Sequence, residues 1–134
     1  MKTVFVDPNV ILDVLLKNDG LWEDSLEIFR LAERKEIKAL VSASSMTDVF
    51  YVTAKRLSVE AAREAVEGLL DLFGVVGVDG DDLRGALNMG INDFEDALQA
   101  HCAAKIKADA FITRDTKGFP GLGIAVVSPD GFLP

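Results

Sequence analysis

Five short apolar runs punctuate the chain, at residues 3–6, 38–41, 74–78, 108–113 and 124–127, each followed by a polar position. Runs of this length, rich in Val, Ile and Phe, predict β-strands, with 74–78 the weakest of the five. Between them the apolar positions change period. Trp22, Leu26 and Phe29 step at helical spacing, as do Val49 and Val52 with Thr53 and Arg56, and later Ala97, Ala100, His101 and Ala104. Helices are therefore expected over about 9–16, 21–35, 45–57 and 59–73, with another running through 97–104. Strands that alternate with helices imply a parallel sheet covered on both faces, which is an α/β fold.

The chain has 134 residues, 49% of them hydrophobic and 27% charged. That is globular composition, and the length suits one domain spanning residues 1–134. Neither a linker nor a repeat breaks it. Residues 118–123, Gly-Phe-Pro-Gly-Leu-Gly, are punctuated as a loop feeding the last strand, and Ser128-Pro129-Asp130-Gly131 reads as a turn. The opening stretch reaches Asp7 too early for a signal peptide, and no run of about 18 apolar residues exists, so a soluble, cytoplasmic protein is expected. Cys102 is the one cysteine, which excludes a disulfide framework or a Cys-based zinc site and predicts a buried structural thiol. The formal charge of −8 argues against a broad nucleic-acid footprint. A local cluster of acids that carries cations would escape that argument, because bound ions become the largest charges in such a site.

The positions of the acids therefore matter. Ligands of open parallel sheets bind beyond the carboxyl ends of the strands. Asp7 directly follows the first strand and Asp115 follows Phe111-Ile112-Thr113-Arg114. Asp48 falls in the first turn of a helix opened by Ser44 or Ser45. Asp93 and Asp96 stand three apart, on one face of a first helical turn. A few converging carboxylates suit a hard cation such as Mg²⁺ or Mn²⁺, which takes oxygen ligands and keeps several waters. Two such ions suffice to activate an attacking water and stabilise the leaving oxygen of a phosphodiester.

Each acid also has a structural reading. Asp7 before Pro8 suits an N-cap with proline at N1, Ser45 with Asp48 resembles a capping box, and Asn92 with Glu95 matches that pattern better. Asp93 and Asp96 would then only complement a helix dipole. Spacing alone leaves both readings open.

At these residues the chain resembles PIN-domain proteins, and among them the VapC-type toxins of toxin–antitoxin pairs. Val4-Phe5-Val6-Asp7-Pro8-Asn9-Val10-Ile11-Leu12-Asp13 is similar to the family's strand-Asp-x-Asn-helix start. Asp93 to Ala100, with Ala108 to Asp115 and Phe119, resembles its third and fourth acidic motifs. The resemblance implies a three-layer α/β/α sandwich around a mostly parallel, about five-stranded sheet. It implies Asp7, Asp96 and Asp115 as principal metal ligands, Asp48 standing where the family usually has Glu, and Asp93 assisting. Thr113 becomes an accessory group beside the metal and Asn9 a brace for the first loop. Mg²⁺ or Mn²⁺ dependence, endonucleolytic cleavage of RNA, a homodimer and a small antitoxin protein as partner are also implied. The alternative within the same family is a catalytically weak RNA- or protein-binding module.

Four other features carry less. Asp79-Gly80-Asp81-Asp82 lacks the glycine and glutamate of an EF-hand, since Arg84 and Gly90 stand there, and reads as a solvated turn opening a helix. His101 lies mid-helix away from the acid motifs. Arg114 and Lys117 flank Asp115 and are candidates for RNA phosphate contacts, with Lys55 and Arg56 further away. Leu15, Leu16, Leu21, Trp22 and Phe29 offer more apolar surface than one helix face needs, which predicts self-association.

Overall fold

The computed structural model describes residues 1–119 and 121–134. Pro120, within the expected 118–123 loop, lies outside the described residues. The elements run β1 (Lys2–Val6), α1 (Pro8–Leu15), α2 (Trp22–Glu33), β2 (Ile37–Ser42), α3 (Ala43–Arg56), α4 (Val59–Leu72) and β3 (Gly74–Val76). They continue with α5 (Gly80–Leu87), α6 (Phe94–Lys105), β4 (Ala110–Ile112), β5 (Ala125–Val127) and α7 (Pro129–Phe132). All five expected strands form, and every pairing between them is parallel, in the order β3-β2-β1-β4-β5. Val4 of the central strand sits opposite Ala39 on one side and Ala110 on the other.

The alternation of side chains along each strand divides the core in two. Val4, Val6, Ala110 and Ile112 point to one face, where Val10 and Ile11 of α1, Ile28 of α2, Val49 of α3 and Leu69 of α4 cover them. Phe5 and Phe111 point to the other, against Ala86 of α5 and Ala97, Leu98 and Cys102 of α6. Their rings lie 5.9 Å apart, centroid to centroid. Helices on both faces of a parallel sheet make the three-layer α/β/α sandwich.

Several local details differ from the sequence reading. Helix α3 opens at Ala43 under Ser42, whose hydroxyl accepts from the Ser45 amide, so Asp48 sits in the second turn and no Ser45–Asp48 box forms. The expected turn at 128–131 closes into α7, with Ser128 as its N-cap. Asp79 does cap α5, in a reciprocal box with Asp82, but Asp82 is buried rather than solvated. Its carboxylate accepts from the Lys105 ammonium at 3.0 Å and pairs with His101 Nε2 at 3.0 Å, tying α5 to α6. His101 therefore does meet an acid, although not one of the acid motifs.

The residues expected to drive self-association are half-buried, and Leu15 and Phe29 pack against the chain's own core. Apolar surface is instead exposed at Tyr51, Leu57, Val59 and Leu70 of the α3–α4 hairpin and at Leu87. Cys102 is buried, and burial pushes its thiol up to about 11. No helix among the described residues is long and apolar enough to cross a membrane.

Candidate active site

Chain order leaves β1 for β2 and β3 on one side, then returns to β4 on the other, so the sheet's switch point lies between β1 and β4. Asp7 leaves the end of β1 there. It is 2% exposed, and its amide donates to the Ile112 carbonyl at 2.9 Å, which ties the two strand ends together. Its carboxylate accepts from the Asn9 amide at 3.0 Å, capping α1 with Pro8 in the first turn, and from the Thr113 hydroxyl at 2.8 Å. The Asn9 contact is made by its backbone amide, and the residue itself is exposed. The Thr113 hydroxyl in turn accepts from the Asp115 amide at 3.3 Å, so one hydroxyl couples Asp7 to the loop that carries Asp115.

Asp93 is the N-cap of α6 itself, accepting from the Asp96 amide at 3.0 Å, and the expected Asn92–Glu95 box is absent. That frees Glu95. Its carboxyl reaches across to Asp48 of α3 and hydrogen-bonds it; this contact, then burial, then the nearby charges of Asp48, Asp93 and Asp7 push Glu95 up to about 7. Sequence reasoning missed Glu95 as a site residue, because the spacing from Asn92 offered it a capping role. The placement of α3 beside α6 is fixed from below by a buried contact, Ser45 Oγ to Gln99 Oε1 at 3.2 Å.

The remaining acids also feel one another. Burial raises Asp96 first, and Asp93, Asp7 and Asp115 raise it further. Burial raises Asp7 as well, against the lowering effects of the Asn9 amide, the Thr113 hydroxyl and the Arg114 guanidinium. A Cβ built on Gly118 would stand 2.6 Å from Asp115 Oδ2, so the carboxylate folds back over a position that admits no side chain without moving it. Arg114 pairs with the fully buried Asp13, Nε to Oδ2 at 3.1 Å, while its charge still acts on Asp7. Lys117 is exposed just beyond Asp115.

Asp7, Asp48, Asp93, Asp96 and Asp115 thus come to one end of the sheet, joined by Glu95. Among the described residues no three His, Cys, Asp or Glu side chains stand close enough to hold a single ion. The donor set still fits a hard cation. It is all oxygen, the Glu95 carboxyl is pushed up to about 7 by its contact with Asp48, and Mg²⁺ is commonly bound through only one or two carboxylates with its waters.

A parallel sandwich with carboxylates gathered on both sides of its switch point defines an α/β domain that works at the carboxyl ends of its strands. Within that class the chain belongs to the PIN domain family, whose model matches residues 3–117. No curated protein matches it by sequence. Among solved structures, DNA-bound VapBC from Salmonella typhimurium is 19% identical with a TM-score of 0.73, over 96% of this chain and 99% of that one. The Sarcin-Ricin loop cleaving toxin VapC20 of Mycobacterium tuberculosis is 18% identical, TM-score 0.72, over 91% and 96%. FitAcB from Neisseria gonorrhoeae is 20% identical, TM-score 0.65, over 95% and 98%. At these identities the likeness is one of fold.

Proposed function

We propose that this chain is a divalent-metal-dependent endoribonuclease of the VapC type, folded as one domain over residues 1–134 and working in the cytoplasm as the toxin of a toxin–antitoxin pair. The observation that carries the reading is the Glu95–Asp48 carboxyl pair set beside Asp7 and Asp96, a concentration of negative charge that folding alone does not need. Mg²⁺ or Mn²⁺ would be held among Asp7, Asp96 and Asp115 by one or two direct carboxylate bonds and otherwise through its waters, with Asp48, Asp93 and Glu95 completing the acidic pocket. When bound, such a cation lowers the pKa of water and stabilises charge on a phosphodiester.

The chain's own residues supply the rest. Thr113 and the Asn9 amide favour the ionised form of Asp7 and so offset part of the raise that burial imposes. Glu95 carries a proton near neutral pH and releases it when positive charge arrives. Lys117, exposed just beyond Asp115, would meet substrate phosphates, and Arg114 would join it only by leaving its pairing with Asp13. The exposed apolar residues of the α3–α4 hairpin suit a homodimer contact or a small antitoxin, and the names of the similar structures, toxin–antitoxin complexes among them, favour such a partner.

The test is cleavage of structured RNA by the purified chain with Mg²⁺ or Mn²⁺. Cleavage should vanish in excess EDTA and in Asp96→Asn. Cleavage that persists in EDTA overturns the metal reading, and a parent chain that binds RNA without cutting it becomes a binding module.

A further inference from the structure

Below the Asp48–Glu95 pair, a run of buried polar side chains ties β2 through α3 to α6. Ser42 ends β2, Ser45 sits in the first turn of α3 and Gln99 in the second turn of α6. Their exposures are 0%, 0% and 1%. Ser42 Oγ accepts from the Ser45 amide at 3.1 Å and lies 2.8 Å from Ser45 Oγ and 3.0 Å from Ser44 Oγ. The Ser45 hydroxyl donates to Gln99 Oε1 at 3.2 Å. The run ends there, because Gln99 Nε2 has no partner among the described residues.

Folding alone gives no reason for this amide. Buried polar groups are nearly always paired, and an unmatched one lowers stability. The other buried residues of α6 are Ala97, Leu98, Ala100, Cys102 and Ala103, so an apolar side chain would suit position 99 better. What the amide does is meet α3. Ser45 stands three residues before Asp48 and Gln99 four after Glu95, spacings that place each pair on one helix face. The Ser45–Gln99 and Asp48–Glu95 contacts are therefore two rungs between the same helices, and among the described residues no other hydrogen bond or ion pair joins α3 to α6. The upper rung joins two acids, which repel as anions; the lower is neutral and holds whatever charge the acids carry. We propose that Gln99 is a positioning residue of the acid pocket: through Ser45 it holds α3 against α6, and so keeps Asp48 facing Glu95 and the cation proposed beside Asp96. The proposal rests on the metal-dependent reading for its purpose, but the contact itself does not.

The test compares the full chain with Gln99→Met, which keeps the length of the side chain and deletes the amide. The Ser45 hydroxyl can then turn to Ser42, so no donor is stranded. In EDTA the variant should melt at or above the parent's temperature, while the side-chain carboxyl resonances of Asp48 and Glu95 shift and that of Asp115 stays. Calorimetric titration with Mn²⁺ should show affinity about tenfold weaker, the lower end for groups that orient metal-binding side chains. In an Asp48→Asn background the same substitution should change Mn²⁺ affinity by less than about twofold, because it acts through Asp48. Ser45→Ala breaks the contact from the other side and should give the same losses if Gln99→Met does not fold. Unmoved Asp48 and Glu95 resonances overturn the proposal. So does a parent that binds Mn²⁺ no better than Gln99→Met, or a loss just as large in the Asp48→Asn background. A parent that binds no Mn²⁺, with the two carboxyl resonances still moved by the substitution, overturns the metal reading and leaves the positioning role standing.

Discussion

The Thr113 hydroxyl donates to the Asp7 carboxylate at 2.8 Å across 106 residues of sequence. This bond joins the ends of β1 and β4 at the switch point, and it works against the burial that raises Asp7. Thr113→Val keeps the shape and deletes the donor. It should cost about 1.5 to 3 kcal/mol, the range for a hydrogen bond to a charged group. Activity should fall at neutral pH and partly return at higher pH, because Asp7 then needs a more alkaline medium to ionise. A pH–rate profile checks this, and an unshifted profile refutes it.

Asp93 and Asp96 should respond oppositely to loss of charge. Asp93 caps α6, so Asp93→Ala should destabilise by about 1 kcal/mol. Asp96 contributes only its amide to that cap, and its carboxyl is raised by burial and like charges. Asp96→Asn should therefore leave the metal-free protein as stable as the parent or more so. Mg²⁺ at ten times its dissociation constant should add roughly 1.4 kcal/mol to the parent and almost nothing to Asp96→Asn. Thermal melts at fixed ionic strength separate the cases.

Glu95 makes stability pH-dependent. Its folded carboxyl lies at about 7 against an ordinary 4.5. A raised carboxyl binds its proton more tightly folded than unfolded, so its contribution is complete below the unfolded value and lost as pH rises through the folded one. Metal-free stability should fall from about pH 5 to about pH 8, and Glu95→Gln should flatten that slope. Apparent Mg²⁺ affinity should rise over the same interval, since binding displaces the proton. Urea titrations and calorimetry across the range measure both.

Gly118→Ala should strike catalysis more than folding. The new Cβ would fall 2.6 Å from Asp115 Oδ2, and a flexible carboxylate can move away at little cost to the fold. A displacement of about 1 Å at a reacting group costs on the order of 100-fold in rate. Turnover down by that factor with an unchanged melting temperature is the expected result; a large melting shift would instead make Gly118 a purely structural position.

The fold was legible because its signals are local. Phe5 and Phe111 mark one face and Val4, Val6 and Ile112 the other through simple alternation, and the helices between announce parallel strands. Asp7 and Asp115 were legible for the same reason, as each follows a strand. Glu95 was not, because a helix-start pattern assigns an acid to the nearest backbone amide and carries no trace of Asp48, 47 positions away on α3. The one hint was composition: Asp93, Glu95 and Asp96 are more acids than a single helix start can use. The Asp82–His101–Lys105 clamp was hidden likewise, its members spread over two helices.

The strand order also sets a timetable for synthesis. β1 is made before the other four strands yet lies at the middle of the sheet, and it must wait, with one edge open, until β4 emerges more than a hundred residues later. Asp7 gains its Thr113 donor only then. On the ribosome the nascent chain can build the β1–β2–β3 half with its helices, but the acid pocket has no second wall until β4 has been made. Such distant pairing closes slowly, and a polypeptide truncated before β4 lacks the machinery proposed for cutting RNA.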